Sequence, residues 1–75
     1  MSPRVPRVTA AQVIRVLEKM GFELTHQSGS HRIYKNAEGR RATVPFHAGE
    51  ILHPKLLKSI LTDAGLTVEE FIEML

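Results

Sequence analysis

The chain has 75 residues and lies below the usual size of a domain, with room for one hydrophobic core that buries about 60 % of the unfolded surface. It has no cysteine, which excludes disulfides, thiolate nucleophiles and sulfur-ligated zinc, and its three Phe, one Tyr and no Trp leave the core to aliphatic side chains. The net charge of +2 conceals an asymmetry: residues 1–60 hold all ten Lys and Arg against Glu18, Glu23, Glu38 and Glu50, a balance of +6, while residues 61–75 carry −4. A basic body with an acidic C-terminal segment points to a surface for polyanions and a final helix kept off it.

No apolar run approaches the roughly 20 residues that span a bilayer, and Met1 to Thr9 has no hydrophobic segment of a secretion signal, so a cytoplasmic protein without a membrane partner is expected. Within residues 1–8, Ser2-Pro3-Arg4-Val5-Pro6-Arg7 has two prolines that block a helix and two arginines. It reads as a flexible basic arm before a single domain over residues 9–75. Thr9 with Gln12 is a capping-box pattern, and Val13, Ile14, Leu17 and Met20 recur at helical spacing, predicting a helix from about Ala10 to Met20 that Gly21 ends.

From Phe22 the period becomes two, with Phe22, Leu24 and His26 on one side, and this alternation predicts a strand with His26 on its apolar, partly buried face. Ser28-Gly29-Ser30 turns the chain, His31 to Lys35 alternates again, Asn36-Ala37-Glu38-Gly39 makes a second turn, and Arg41 to Val44 is a third strand ended by Pro45. Pro54 suits the first turn of a second helix carrying Leu56, Leu57, Ile60, Leu61 and Ala64, which Gly65 stops. Thr67 with Glu70 is another capping box, opening a short helix with Val68, Phe71, Ile72 and Leu75. The order is α-β-β-β-α-α: an α+β fold with a three-stranded antiparallel sheet and helices on one face.

Without cysteine, the four histidines are the main groups able to exchange protons near neutral pH. His31 stands out, because it follows Gly29 and Ser30 in a tight turn whose amides can approach a phosphate, with Arg32 adjoining and Lys35 close by. An imidazole among cations can move a proton beside a scissile phosphate while the cations offset developing charge. The bland reading is a surface histidine in a polar turn. His47, after Val44-Pro45-Phe46, is a secondary candidate that either holds its loop or contacts RNA, and His53 before Pro54 reads as a cap or a solvent-facing residue. No HxH or HExxH spacing is present, so no metal and no cofactor are expected. Arg15 with Lys19, Arg40 with Arg41, and Lys55 with Lys58 are candidates for a phosphate track or simply solvated faces.

Several segments together resemble one family. A helix ending in Met20-Gly21-Phe22, then Gly29-Ser30-His31-Arg32, Val44-Pro45-Phe46-His47, Leu57-Lys58-Ser59-Ile60-Leu61 and Ala64-Gly65-Leu66 are similar in order and spacing to the HicA (YcfA-like) toxins. The chain differs where family members often have Lys-Gly-Thr, reading Pro54-Lys55-Leu56-Leu57 at the start of the second helix. The resemblance implies a double-stranded-RNA-binding-domain-like fold and the activity of an mRNA endoribonuclease (mRNA interferase) that arrests translation. By the same resemblance His31 is the catalytic residue, Gly29 and Ser30 position it, and a HicB-type antitoxin masks it in a hetero-oligomer, the free toxin being a monomer.

In such a reaction a 2′-hydroxyl attacks its own phosphate, which needs a base and an acid. The sequence offers His31 for one role, and water or His47 for the other. Arg32, Lys35 and Lys58 are the cations expected to hold RNA. The competing expectation is a non-catalytic module that occludes its RNA target through phosphate and 2′-hydroxyl contacts. A purely structural interaction domain would have no salt-sensitive RNA affinity.

Overall fold

Local capping chemistry sets the ends of the helices. In the computed structural model, which describes residues 5–75, helix α1 spans Ala10–Lys19. The Thr9 N–H donates to Gln12 Oε1 at 2.9 Å and the Gln12 N–H to Thr9 Oγ1 at 3.4 Å, closing the reciprocal box expected there. Met20 is the C-cap rather than the last helical residue. Helix α2, Pro54–Ala64, starts under His53, whose Nδ1 accepts from the Lys55 N–H at 3.1 Å. It ends at Gly65, where φ of +80° turns the chain so that the Leu66 N–H donates back to the Leu61 carbonyl at 2.9 Å. Helix α3, Val68–Met74, opens on a second reciprocal box between Thr67 and Glu70.

Strands β1 (Glu23–Ser28), β2 (His31–Lys35) and β3 (Arg41–Pro45) form one antiparallel sheet in the order β1-β2-β3. Gly29 and Ser30 make a two-residue hairpin loop. Gly29 has φ of +57° and Ser30 a negative φ, the sign pattern of a type II′ turn, whose twist suits the flanking strands. The second turn is held by Asn36, whose Oδ1 accepts from the Glu38 and Arg40 N–H groups at 3.1 and 2.8 Å.

The core lies between the sheet and the helices. Val13, Ile14, Val16 and Leu17 of α1 and Leu57, Ile60, Leu61 and Ala64 of α2 are buried with Tyr34, Ala42 and Val44, which share one sheet face. Phe71 of α3 is completely buried, and the Lys19 ammonium donates to the Met74 carbonyl at 3.0 Å, tying α3 to α1. The order α-β-β-β-α-α with helices on one face is the expected α+β fold, of the double-stranded-RNA-binding-domain-like kind.

The predicted arm falls partly on residues 1–4, outside the described residues. Of its remainder, Val5 packs against the core, Val8 is buried, and the Val8 carbonyl accepts from the Leu52 N–H at 2.8 Å.

β1 differs from its predicted form. All six of its residues are exposed, and the register passes from Leu24 opposite Tyr34 directly to His26 opposite Ile33, leaving Thr25 as an extra residue. This β-bulge inverts the sidedness of everything after it. Leu24 keeps to the helical side with Tyr34, whereas His26 turns to the open face with Ile33. The expectation of a partly buried His26 beside Leu24 is therefore corrected: His26 is exposed on the other face of the sheet.

Candidate active site

The sheet face away from the helices is a grid of side chains fixed by register. One row runs Ser28, His31, Pro45 across the three strands, the next His26, Ile33, Thr43, and the third Glu23, Lys35, Arg41. His31 is exposed and stands at the end of β2 next to the turn. The Ser30 carbonyl beside it accepts from the Phe46 N–H at 2.7 Å, which fastens the turn to the exit of β3 and fixes the backbone that carries the imidazole.

Only some of the residues expected around His31 share its face. Arg32 does not: it pairs with Val44 on the helical side, and its guanidinium carbon lies 4.0 Å from the centroid of the Phe46 ring. That is cation–π stacking, with Arg32 Nε buried and unpartnered in hydrogen bonding. His31 and Arg32 are neighbours in sequence and opposites in space. The alternation that carries Tyr34 into the core carries Arg32 the same way, so this was readable from the pattern of β2 itself.

Lys35 is on the open face with His31 but four residues along the strand, about 13 Å away at the usual rise. It stands between Glu23 and Arg41. Lys58 is exposed on α2, in the helical layer behind the sheet. His47 is exposed on the loop after β3. With Pro45, Glu50, Ile51, His53 and Leu56 it lines an open cavity of about 230 Å³ that reaches the His31 row through Pro45. His53 spends its Nδ1 on capping α2, the first of the two roles the sequence left open for it. Among the described residues no group of three or more His, Asp or Glu side chains is arranged to hold a metal ion.

One residue of the open face was missed as a site candidate. His26 joins the grid only because of the bulge, and nothing in the local sequence marks Thr25 as the extra residue. The bulge is held by the Thr25 hydroxyl, which donates to the Ile33 carbonyl at 3.2 Å.

Fold and site together define a small α+β domain with helices behind an antiparallel sheet and an exposed histidine-bearing face in front. Residues 10–66 match the family described as HicA toxin of bacterial toxin–antitoxin systems. The chain belongs to the HicA toxin family, and membership implies an antitoxin partner. No curated protein matches the chain. Among the described residues no helix is long and apolar enough to cross a membrane.

Proposed function

We propose that this toxin is a metal-independent endoribonuclease that cuts mRNA with His31 and so arrests translation. The carrying observation is the display of His31: an exposed imidazole at the end of a strand, on the sheet face that the helices leave free, beside a turn that the Ser30 carbonyl fastens to the exit of β3. Such a residue contributes little to the fold and is open to a phosphodiester. The RNA 2′-hydroxyl attacks the adjacent phosphorus, the bond from phosphorus to the 5′-oxygen breaks, and the products carry a 2′,3′-cyclic phosphate and a 5′-hydroxyl. His31 makes one of the two proton transfers.

Gly29 and Ser30 shape the turn that presents His31, and Lys35 with Arg41 offers positive charge along the same face. Arg32 serves the site indirectly, by stacking on Phe46 at the β3 exit, while Lys58 contacts RNA only where the strand wraps round to the helical layer. The free toxin acts as a cytoplasmic monomer. A HicB-type antitoxin covers the His31 face in a hetero-oligomer, so that toxicity is released when the antitoxin is lost.

The test is cleavage of a long mixed-sequence RNA in EDTA by wild type and His31→Ala, with circular dichroism on both. Fragments from the wild type alone support the reading. Binding by both without fragments would make the protein an occluding RNA-binding module, and equal cleavage by both would remove His31 from the chemistry.

A further inference from the structure

Cleavage by internal attack requires a base for the 2′-hydroxyl proton and an acid for the 5′-oxygen. His31 fills one role. The geometry points to His26 as the other, so that the two histidines form an acid and base pair across the β1–β2 hairpin. The inference rests on the endoribonuclease reading above.

Ser28 lies opposite His31 and His26 opposite Ile33, so His26 and His31 occupy adjacent rows on adjacent strands of one face. Diagonal neighbours of this kind lie about 7–8 Å apart, within reach of aromatic-sized side chains. A phosphate seated between them places its attacking and leaving oxygens toward opposite imidazoles, each needing a hydrogen bond of about 2.6–3.2 Å. Both histidines are exposed, and neither is part of the core. The other ionisable groups of this face are Glu23, Lys35 and Arg41, all in the third row, with His47 on the loop beyond β3.

The bulge makes the pair. Without Thr25 as an extra residue, continued alternation would send His26 to the helical side with Leu24, behind the sheet from His31. An edge strand that contributes no buried residue gains nothing for the core from this irregularity. What it gains is a second imidazole beside the first. The balance of the step is complete: one imidazole takes the 2′-hydroxyl proton as the oxygen bonds to phosphorus, the other, protonated, gives its proton to the departing 5′-oxygen, and no further reactant enters.

The experiment compares wild type, His26→Ala, His31→Ala and His26→Gln on two substrates, an ordinary oligoribonucleotide and one with a 5′-bridging sulfur at the cleaved position. The sulfur leaves without a proton. On ordinary RNA each single variant is expected to lose about 10²–10⁴-fold in rate, with RNA affinity held within about threefold. On the sulfur substrate one of the two alanine variants, the one lacking the acid, recovers a rate near wild type. The wild-type pH profile is bell-shaped and each variant loses one limb. A wild-type rate for His26→Ala on ordinary RNA would overturn the pair while leaving His31 in place. So would a loss matched by an equal loss of affinity, or rescue of neither variant by sulfur. No cleavage by the wild type would instead bring down the endoribonuclease reading itself.

Discussion

The two outer strands of the sheet are built for different ends. In β3, Ala42 and Val44 are completely buried under α1 and α2, and every helix packs on that side of the molecule. In β1 no residue is buried; even Leu24, on the helical side, is 49 % exposed. β1 is held by its ladder with β2 and by little else. The fold therefore keeps its stability at one edge and its candidate chemistry toward the other, joined by β2, whose Tyr34 faces the core while His31 and Lys35 face solvent. A histidine pair on the β1–β2 hairpin can change without cost to the core, and a core change need not touch the histidines.

The sharpest way to break this contrast is to empty the packed side. Phe71→Ala removes a fully buried ring that joins α3 to the rest and is expected to cost about 3–5 kcal/mol, read as a fall in the urea midpoint. For so small a domain that is a large share of its stability. Gly65→Ala comes next. A Cβ there meets the Arg40 side chain at 2.8 Å and must adopt φ of +80°, so a loss of about 1 kcal/mol or more is expected in the same titration. Leu24→Ala on the bare edge should shift stability by no more than about 0.5 kcal/mol. A loss there as large as for Phe71 would mean that β1 is covered after all.

The smallest expected effect is a pH dependence at α3. The Thr67 N–H, and then its hydroxyl, hold the Glu70 carboxyl below its ordinary value. A carboxyl lowered in the folded state adds stability that is full above the unfolded value of about 4.3 and fades as pH falls through the folded one. Glu70→Gln should therefore flatten the acid limb of the thermal midpoint slightly, since the group is exposed and screened.

The parts of the molecule legible in the sequence are those decided by a few adjacent residues. Thr9 with Gln12, His53 before Pro54, Gly65, and Thr67 with Glu70 each set a helix end by chemistry within one turn, and the helices lie where these residues put them. The sidedness of β1 was not legible, because Phe22, Leu24 and His26 alternate as an ordinary strand would, and a bulge is chosen by the pairing with β2. Arg32 is an intermediate case. Its adjacency to His31 suggested a shared site, but the alternation of β2 separates the two faces, and the stacking on Phe46 depends on a chain reversal that only the tertiary fold supplies.

Under the proposed function, the sheet face left free by the helices cuts RNA through His31. The most direct test is end-group analysis of RNA incubated in EDTA with purified wild-type protein and with His31→Ala. Fragments ending in 2′,3′-cyclic phosphate and 5′-hydroxyl are expected from the wild type and none from the variant; fragments with 3′-hydroxyl and 5′-phosphate ends, or the same fragments from both proteins, would contradict the proposed function.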